Sequence, residues 1–447
     1  MFIYNKIKLD KILPFKILVT KKNKELYMHI SDPVEIINKI VNNPETLKKA
    51  LLKPNAFSQK QILTFKTVMS IMLDFCDDSL QTKITRHLKA HDKLRTATKQ
   101  ALSKALSQID ESPFVTMSNA LVDYVYNSGF QLKTFKNYFL FAVDGSYFNI
   151  PRTLENLNYF DKDGKSTNLK LGGSMVYDVL NNVPIDFAIS KTFMNERLEF
   201  SQQLARINTN YPHVVKQAIF TLDRGYRSLE IMTDLSLQNI NFVSRASTSF
   251  LKEIDEAPMG DNIITCRNGL RIRVIKFRLD TDEIFILCTN LFHFSEDELK
   301  EIYRFRWIIE TSFNTAKNKL FVDKNQGKTV NFLQQSYWAT MVKMVFLGIA
   351  QNECDWRIEC EEEEKRRRKK GRKPGNKHCY KANTRTLIQL FDAYYILAGF
   401  AMKCWNSIFR FMKIINEGVR RKVRKYITNS KNIVYVTFDE VNSYAKS

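Results

Sequence analysis

Leu299–Leu320 has the sequence LKEIYRFRWIIETSFNTAKNKL, and this stretch decides how the rest of the chain is interpreted. Its apolar residues recur at steps of three and four, which is the spacing of one buried face of an α-helix. The apolar residues are Ile302, Phe305, Ile309, Phe313, Ala316 and Leu320. The stretch therefore predicts a continuous amphipathic helix that packs on a core.

A polar stripe runs along the same predicted helix. Tyr303, Arg306, Glu310 and Lys317 follow one another at separations of three, four and seven residues. They therefore share one side of a helix with 3.6 residues per turn. A carboxylate flanked by two cations and a phenol is suited to holding a metal ion and a phosphate together. The alternative is a solvated face with an ordinary Arg306–Glu310 pair at helical spacing.

Two apolar runs upstream each end in an aspartate. YFLFAVDG, residues 138–145, predicts a buried strand whose C-terminal end presents Asp144. AIFTLDRGY, residues 218–226, predicts a second buried strand that presents Asp223. An aspartate in such a place is often only a turn residue or a helix cap. The coincidence with Glu310 favours a cluster of three carboxylates.

Three carboxylates suit a particular kind of metal site. Mg²⁺ prefers hard oxygen ligands and keeps several waters, so Asp144, Asp223, Glu310 and a substrate phosphate suffice to hold it. Two such ions, about 3.5–4 Å apart, can activate a water and stabilise a leaving oxygen in an in-line displacement. Glu196 is the rival for the third carboxylate. The expected role of these acids is metal ligation and not direct acid–base work.

The order of predicted elements indicates the fold. The strand bearing Asp144 is followed by a hairpin over 174–190, by a helix from Asn195 to about residue 208, and by the strand bearing Asp223. This is the order of a ribonuclease H-like fold, in which carboxylates from two neighbouring strands and one helix converge on a metal pair. The expected class is therefore α/β, with a ribonuclease H-like catalytic core.

Something is inserted between the second aspartate and the helix. Asp223 and Glu310 are 87 residues apart, which is more than a minimal core of this fold needs. The intervening residues contain four predicted strands, several of them with period two. These strands cover residues 241–245, 262–266, 270–278 and 283–289. We therefore expect a mostly β insertion over residues 240–292.

The composition of the chain indicates which kind of partner it binds. The chain has 447 residues, is 44% hydrophobic and carries a formal net charge of +22. A protein with so large a positive charge usually binds a polyanion. Nucleic acid is the first candidate, and a membrane surface is the second. No apolar run reaches the roughly 18 residues that would span a bilayer. The seven cysteines contain no CxxC pair and suit free thiols, so a cytoplasmic location is expected.

The polar stripe resembles the signature helix of the insertion sequence 4 family of bacterial DDE transposases. That family's Tyr, Arg, Glu and Lys pattern is complete at Tyr303, Arg306, Glu310 and Lys317. Asp223-Arg224-Gly225-Tyr226 also matches the family's second-aspartate motif letter for letter. The resemblance runs from about residue 137 to residue 320. Members of this family carry an insertion at the place noted above.

The resemblance implies a reaction and its participants. It implies a DNA transposase that cuts the ends of an insertion sequence and then joins the freed 3′ hydroxyl to target DNA. It further implies two Mg²⁺ or Mn²⁺ ions held by Asp144, Asp223 and Glu310, a hairpin intermediate, and a homodimer on paired DNA ends. A bacterial, nucleoid-associated location follows from the same resemblance.

The resemblance also implies DNA contacts. Tyr303, Arg306 and Lys317 are expected to hold the terminal phosphate of the element's end. Arg245 and Trp307 are expected to help hold a distorted DNA end, since base extrusion onto an aromatic side chain is a feature of some relatives. The remaining expected DNA-binding residues are Arg224 and Tyr226.

These expectations divide the chain into six parts. The flanks are expected to be helical, and the basic faces of the N-terminal helices to bind DNA ends. The parts are an N-terminal helical region (1–135), the first part of the core (136–239), the β insertion (240–292), the second part of the core (293–352), a charged loop (353–384) and a C-terminal helical region (385–447).

Two other functions stay open from the sequence. A nuclease on the same fold would cut DNA without joining ends. An inactive DNA-binding protein derived from a transposase would bind ends and cut nothing. The presence of all three acids and of the full polar stripe favours the active transposase over this second alternative.

Overall fold

The computed structural model describes residues 28–57, 62–91, 96–160, 169–190, 194–279, 282–322, 327–368, 378–389, 391, 420–427 and 433–437. The first part is helical, as the apolar spacing predicts. Side chains of Asn43, Thr64 and Thr98 accept hydrogen bonds at the starts of three helices, which fixes where those helices begin. The helices are α1 (Ser31–Asn42), α2 (Pro44–Ala50), α3 (Phe65–Met72), α4 (Leu80–His91), α5 (Lys99–Leu106) and α6 (Ser112–Asn127).

One large mixed sheet follows. Its strands are β1 (Phe139–Asn149), β2 (Lys170–Asp178), β3 (Val183–Ser190), β4 (Ala218–Leu222), β5 (Asn241–Ala246), β6 (Gly260–Thr265), β7 (Arg271–Arg278) and β8 (Ile284–Thr289). They lie in the order β3-β2-β1-β4-β5-β8-β7-β6. The strands β1, β4 and β5 run parallel, and the other neighbours pair antiparallel. The helices between them are α7 (Leu154–Phe160), α8 (Glu196–Asn210), α9 (Pro212–Lys216), α10 (Leu229–Leu237) and α11 (Lys252–Glu256).

The parallel ladder between β1 and β4 ends just before the two aspartates. Its last pair joins Val143 to Leu222, so Asp144 and Asp223 are the next residues on the two neighbouring chains. Asp144 is not the end of its strand, contrary to the sequence-based expectation. Strand β1 continues to Asn149 because residues beyond Val143 stay hydrogen-bonded to β2 on its other side.

The predicted insertion is part of the same sheet. Strand β5, the first of the four predicted insertion strands, pairs in parallel with β4 and therefore extends the central strands. The other three strands add to the sheet through an antiparallel ladder between β5 and β8. The expected start of the insertion at residue 240 thus lies before a strand of the central sheet. We propose that the insertion begins after Ala246.

The stretch 299–320 is not one continuous helix. It is divided into α12 (Glu296–Phe305), α13 (Ile308–Asn314) and a π-helical turn, Thr315–Lys319. The break arises because the backbone tightens, with Arg306 and Glu310 each donating a hydrogen bond to the carbonyl three residues earlier. The expected apolar face is nevertheless buried, apart from the half-buried Phe305.

The expected charged loop, 353–384, is largely ordered as secondary structure. Helix α14 (Val330–Arg368) continues through the acidic run and into the basic run, and strand β9 (His378–Ala382) follows. The helix persists because its acids have partners: Glu353 accepts a hydrogen bond from the Ile30 amide at 2.7 Å, and Asp355 accepts one from the Ala382 amide at 2.7 Å. Residues 369–377 lie outside the described part.

The C-terminal region is not simply helical either. Residues 384–389 are helical, but β10 (Arg420–Ile427) pairs with β9 on one side and with β11 (Ile433–Thr437) on the other in a three-stranded antiparallel sheet. IVYVT is rich in β-branched residues, which favour strands. In the described residues, no helix is both long and apolar enough to cross a membrane.

Candidate active site

Asp144 and Asp223 lie side by side at the end of the parallel ladder. Asp144 is half-buried, and its Oδ1 accepts a hydrogen bond from the Gly145 amide at 2.9 Å. Burial raises the pKa of Asp144 to about 6, although the nearby positive charge of Arg306 offsets part of the rise. The charge of Asp223 adds to the rise. The pair thus forms a site of negative charge that an external cation would stabilise.

Helix α13 brings the third acid to this site. Glu310 accepts a hydrogen bond from Nη2 of Arg306 at 2.9 Å, and Nη1 of the same guanidinium lies 3.8 Å from Oδ2 of Asp144. Arg306 is buried, and Nη1 donates no hydrogen bond within the described residues. Burial raises the pKa of Glu310, which Arg306 partly offsets. The expected pair at helical spacing exists; its arginine is buried and also approaches Asp144 on β1, while Glu310 stays partly exposed.

Tyr303 connects helix α12 to the second aspartate. Its hydroxyl donates a hydrogen bond to Oδ1 of Asp223 at 3.1 Å. Its ring packs edge-on against Phe285 of β8, with centroids 5.6 Å apart. Burial raises the pKa of Tyr303 well above its ordinary value, so the phenol stays protonated and acts as a donor.

Lys317 lies on the π-helical turn and reaches strand β1. Its Nζ donates to Oγ of Ser146 at 2.7 Å and lies 5.3 Å from the centre of the Phe148 ring. Since side chains alternate along a strand, Ser146 and Asp144 point to the same face of the sheet. The structure therefore places all four residues of the polar stripe on the face of the sheet that carries Asp144.

Glu196 also faces the two aspartates. It is the first residue of α8, after the N-cap Asn195. A Cβ built on Gly225 would lie 1.9 Å from Oε2 of Glu196, and one built on Gly145 would lie 3.4 Å from Oε1. Burial, followed by the charge of Asp223, raises the pKa of Glu196. The sequence did not reveal why glycine follows each aspartate so closely, and these contacts supply a reason.

Two expected DNA-binding arginines meet at one acid of the β insertion. Arg224 and Arg245 both donate to Oε1 of Glu283, the latter at 3.2 Å. The guanidinium of Arg245 also stacks on Phe285, 4.4 Å from the ring centre. The structure thus places Arg245 near Tyr303, whose ring contacts the same phenylalanine.

The other two expected DNA contacts differ from each other. Tyr226 is only 1% exposed and packs against Phe200, so its side chain belongs to the core and the expectation of a DNA contact is wrong. A buried aromatic residue at the end of a motif cannot be distinguished from an exposed one by sequence alone. Trp307 is half-buried and lies on the same helical segment as Glu310. It lines a cavity of about 490 Å³.

The carboxylates fit a hard divalent cation by their chemistry. Asp144, Asp223 and Glu310 offer the hard oxygen ligands that such a cation prefers, and the raised pKa of Asp144 and of Glu310 reflects burial of carboxylates that a cation would stabilise. In the parts of the chain that the structure describes, however, no three His, Cys, Asp or Glu side chains are already close enough to hold a metal ion. Arg306 lies between Asp144 and Glu310, so metal binding requires that guanidinium to move away from Glu310.

The sequence of this region is similar to that of a known protein family. Residues 138–342 match the family profile of the transposase DDE domain. That range contains β1, β4 and the segment Glu296–Lys319, and hence all three acids and the polar stripe. The DDE domain therefore coincides with the part of the chain in which the carboxylates converge.

Two individual proteins are similar to parts or to the whole of the chain. A probable transposase for insertion sequence element IS5377 from Geobacillus stearothermophilus is 33% identical over 82 residues, which is 18% of this chain and 22% of that protein. The match thus spans only about a fifth of that protein's length. A cryo-EM structure of a piggyBac transposase synaptic complex with hairpin DNA matches with a TM-score of 0.46 and 9% identity, over 86% of this chain and 85% of the other.

Proposed function

We propose that the chain is a DDE transposase of the insertion sequence 4 family, which cuts DNA at the element's ends and joins those ends to target DNA. The observation that carries this proposal is the meeting of Asp144, Asp223 and Glu310 around Arg306, inside the range that matches the DDE domain. The complete polar stripe on the same face of the sheet supports the finer family assignment.

The sheet supports a ribonuclease H-like core. Strands β1, β2 and β3 form an antiparallel meander, helix α8 follows, and β4 returns parallel to β1. This is the order of elements that the fold requires. Acids on β1, after β4 and on α13 then lie on one side of the sheet, as the catalytic acids of such a core would.

We propose that Asp144, Asp223 and Glu310 hold two Mg²⁺ or Mn²⁺ ions. When bound, these ions would supply the positive charge that activates the attacking oxygen and stabilises the leaving oxygen. In their absence, Arg306 partly compensates the charge of Asp144 and Glu310. Its buried Nη1, which donates no hydrogen bond within the described residues, is available to a phosphate oxygen.

The chain's own residues would also orient the DNA. Arg306 and Lys317 neutralise the terminal phosphate, the first with a planar fork of donors and the second as a point charge. Tyr303, a protonated donor in the same site, adds a hydrogen bond. Arg224 and Arg245 extend this positive surface to the edge of the insertion, where Glu283 accepts a hydrogen bond from each of them.

The partner is proposed to be double-stranded DNA, namely the terminal repeats of the element and its target. The formal net charge of +22 supports this partner. The cavity beside Trp307 is large enough for an extruded base. A homodimer on paired ends and a hairpin intermediate complete the proposal.

Cleavage of DNA that carries the element's flanking inverted ends tests this function. Wild type is compared with Glu310→Gln and Asp144→Asn, with Mg²⁺ present. We expect wild type to cut at the ends and both variants to bind the DNA without cutting it. Variants that cut as well as wild type would place the active site elsewhere. Cutting without any joined product would favour the nuclease, and binding without cutting by all three proteins the inactive descendant.

A further inference from the structure

Glu196 brings a fourth carboxylate to the face of the sheet that holds the candidate active site. We propose that Glu196 is a ligand of the divalent metal in this site, together with Asp144 and Asp223. This inference rests on the proposed function, because it deepens the assignment of the same metal site. It adds a residue that lies outside both motifs from which the function was argued.

The backbone directs Glu196 to this place. Asn195 accepts a hydrogen bond from the Leu198 amide at 3.2 Å and so fixes the first turn of α8. Glu196 is the first residue of that turn, and its carboxylate enters the space above Gly225. Helix α8 also packs on β1 and β2, which keeps this first turn next to the sheet.

Both aspartate-bearing segments lack a side chain where Glu196 lies. Any Cβ at residue 225 would overlap Oε2 of Glu196, since the two atoms would be 1.9 Å apart. A Cβ at residue 145 would lie 2.0 Å from Cε of Met194 and 3.4 Å from Oε1 of Glu196. The glycines next to the two aspartates thus make room for the segment that carries this glutamate.

The carboxylate of Glu196 lies beside another negative charge. Among the residues that the structure describes, no hydrogen-bond donor or cation pairs with it, and the charged group that acts on it is the like charge of Asp223. Glu199, one turn later on the same helix, instead faces the positive charge of Arg206. A half-buried carboxylate beside another carboxylate is unfavourable until a cation joins them.

A separate observation indicates that a ligand belongs here. Arg306 is 7% exposed, and its Nη1 is buried without a hydrogen-bond partner in the described residues, 3.8 Å from Oδ2 of Asp144. A buried donor nitrogen of this kind requires an acceptor that the protein does not provide. A phosphate oxygen of the substrate would supply that acceptor, and Glu196 would help to hold the metal ion in the same site.

The experiment measures Mn²⁺ binding to the full chain by titration calorimetry, without DNA. Glu196→Gln keeps the size of the side chain and removes its charge, and Glu199→Gln is the matched control on the same helix. We expect Mn²⁺ affinity to fall at least about tenfold in Glu196→Gln and to stay unchanged in Glu199→Gln. Equal affinities in the two variants would overturn the proposal.

Gly225→Ala provides a second, independent variant. It keeps the glutamate but displaces its carboxylate, so Mn²⁺ affinity should fall by a similar factor. Thermal unfolding followed by circular dichroism checks that each variant is folded. If Glu196→Gln fails to fold, Gly225→Ala decides: unchanged Mn²⁺ affinity in this variant refutes the ligand role.

Cleavage assays separate this inference from the proposed function. If wild type binds Mn²⁺ through Glu196 but cuts no DNA end, the function fails and the ligand assignment stands. If wild type cuts DNA and Glu196→Gln cuts slowly with unchanged Mn²⁺ affinity, the function stands and the ligand assignment fails. Recovery of cleavage by Glu196→Gln at higher Mn²⁺ concentration is the result expected if both are right.

Discussion

The hydroxyl of Tyr303 donates a hydrogen bond to Asp223, a residue 80 positions earlier in the chain, at 3.1 Å. This bond ties helix α12 to the end of strand β4, and the helix leads directly into the segment that carries Arg306 and Glu310. The distance of Glu310 from Asp144 and Asp223 therefore depends partly on the hydroxyl of Tyr303.

Replacing Tyr303 by Phe should show the strength of this bond. The ring contact with Phe285 is kept, while the hydrogen bond to a charged group is lost. We expect the free energy of unfolding of the metal-free protein to fall by about 1–2 kcal/mol. Urea unfolding measures it, and a double-mutant cycle with Asp223→Ala isolates the pair. A loss that persists in full in the Asp223→Ala background would show that the hydroxyl acts elsewhere.

Asp144→Asn should stabilise the metal-free protein while abolishing metal-dependent cleavage. Burial raises the pKa of Asp144 to about 6, so the folded chain pays to ionise a carboxyl that ionises near pH 4 when unfolded. Below pH 4 both states are protonated and the variant has no advantage. The advantage grows between about pH 4 and pH 6 and is constant above that range, at about 1–3 kcal/mol at pH 8. Urea unfolding in a chelator at pH 4 and pH 8 tests this, and equal stabilities at pH 8 would contradict it.

Replacement by alanine should change the stability of the protein differently at two glycines, Gly225 and Gly348. In Gly225→Ala the new Cβ meets the flexible end of Glu196, which can turn away, so stability should change by less than about 1 kcal/mol. In Gly348→Ala the new Cβ would lie 2.2 Å from the backbone carbonyl oxygen of Asn182, which cannot turn away. We expect that variant to lose about 1–3 kcal/mol. Chemical unfolding of the two variants side by side makes the comparison, and the reverse order of stabilities would refute it.

Lys343 offers a test of stability far from the site. It is buried in helix α14, where burial and the charge of Lys83 lower its pKa to about 7, and its Nζ lies 3.4 Å from the carbonyl oxygen of Asp74. The unfolded chain ionises this lysine near pH 10.5, so folding is penalised increasingly as pH falls from 10.5 to 7 and fully below 7.

Lys343→Met removes that penalty. The variant should be more stable than wild type by about 2–4 kcal/mol at pH 6.5, and the difference should shrink towards pH 10. Denaturant unfolding at these two pH values gives both numbers. A difference that does not depend on pH would mean that packing and not ionisation is responsible.

Much of the structure around the candidate active site was predictable, because the spacing of apolar residues along the chain indicates which side chains are buried. The apolar spacing of 299–320 gave the buried face of the signature segment, and the two dense apolar runs gave β1 and β4. The rest depends on neighbours that are distant in sequence. Strand β1 extends past Asp144 only because β2 pairs with it there, and Tyr226 is buried only because Phe200 covers it.

The helical structure of residues 353–368 was hidden for a similar reason. An acidic side chain looks solvated unless its partner is known, and Glu353 and Asp355 accept hydrogen bonds from backbone amides 323 and 27 residues away. The break at Arg306 was also hidden, since helical spacing is nearly unchanged when one turn tightens. Glu196 entered only as a rival for the third acid, because its closeness to Gly225 is a property of the folded chain.

The ladder between β5 and β8 makes the insertion mechanically continuous with the strands that carry the aspartates. To swing as a separate arm, the insertion would have to break the backbone hydrogen bonds that join Val243–Ala246 to Ile286–Thr289. A ligand bound to Arg245, which lies on β5 in this ladder, would therefore keep a constant distance from Asp144 and Asp223. Any opening of the site must come instead from the helical segment that carries Arg306 and Glu310.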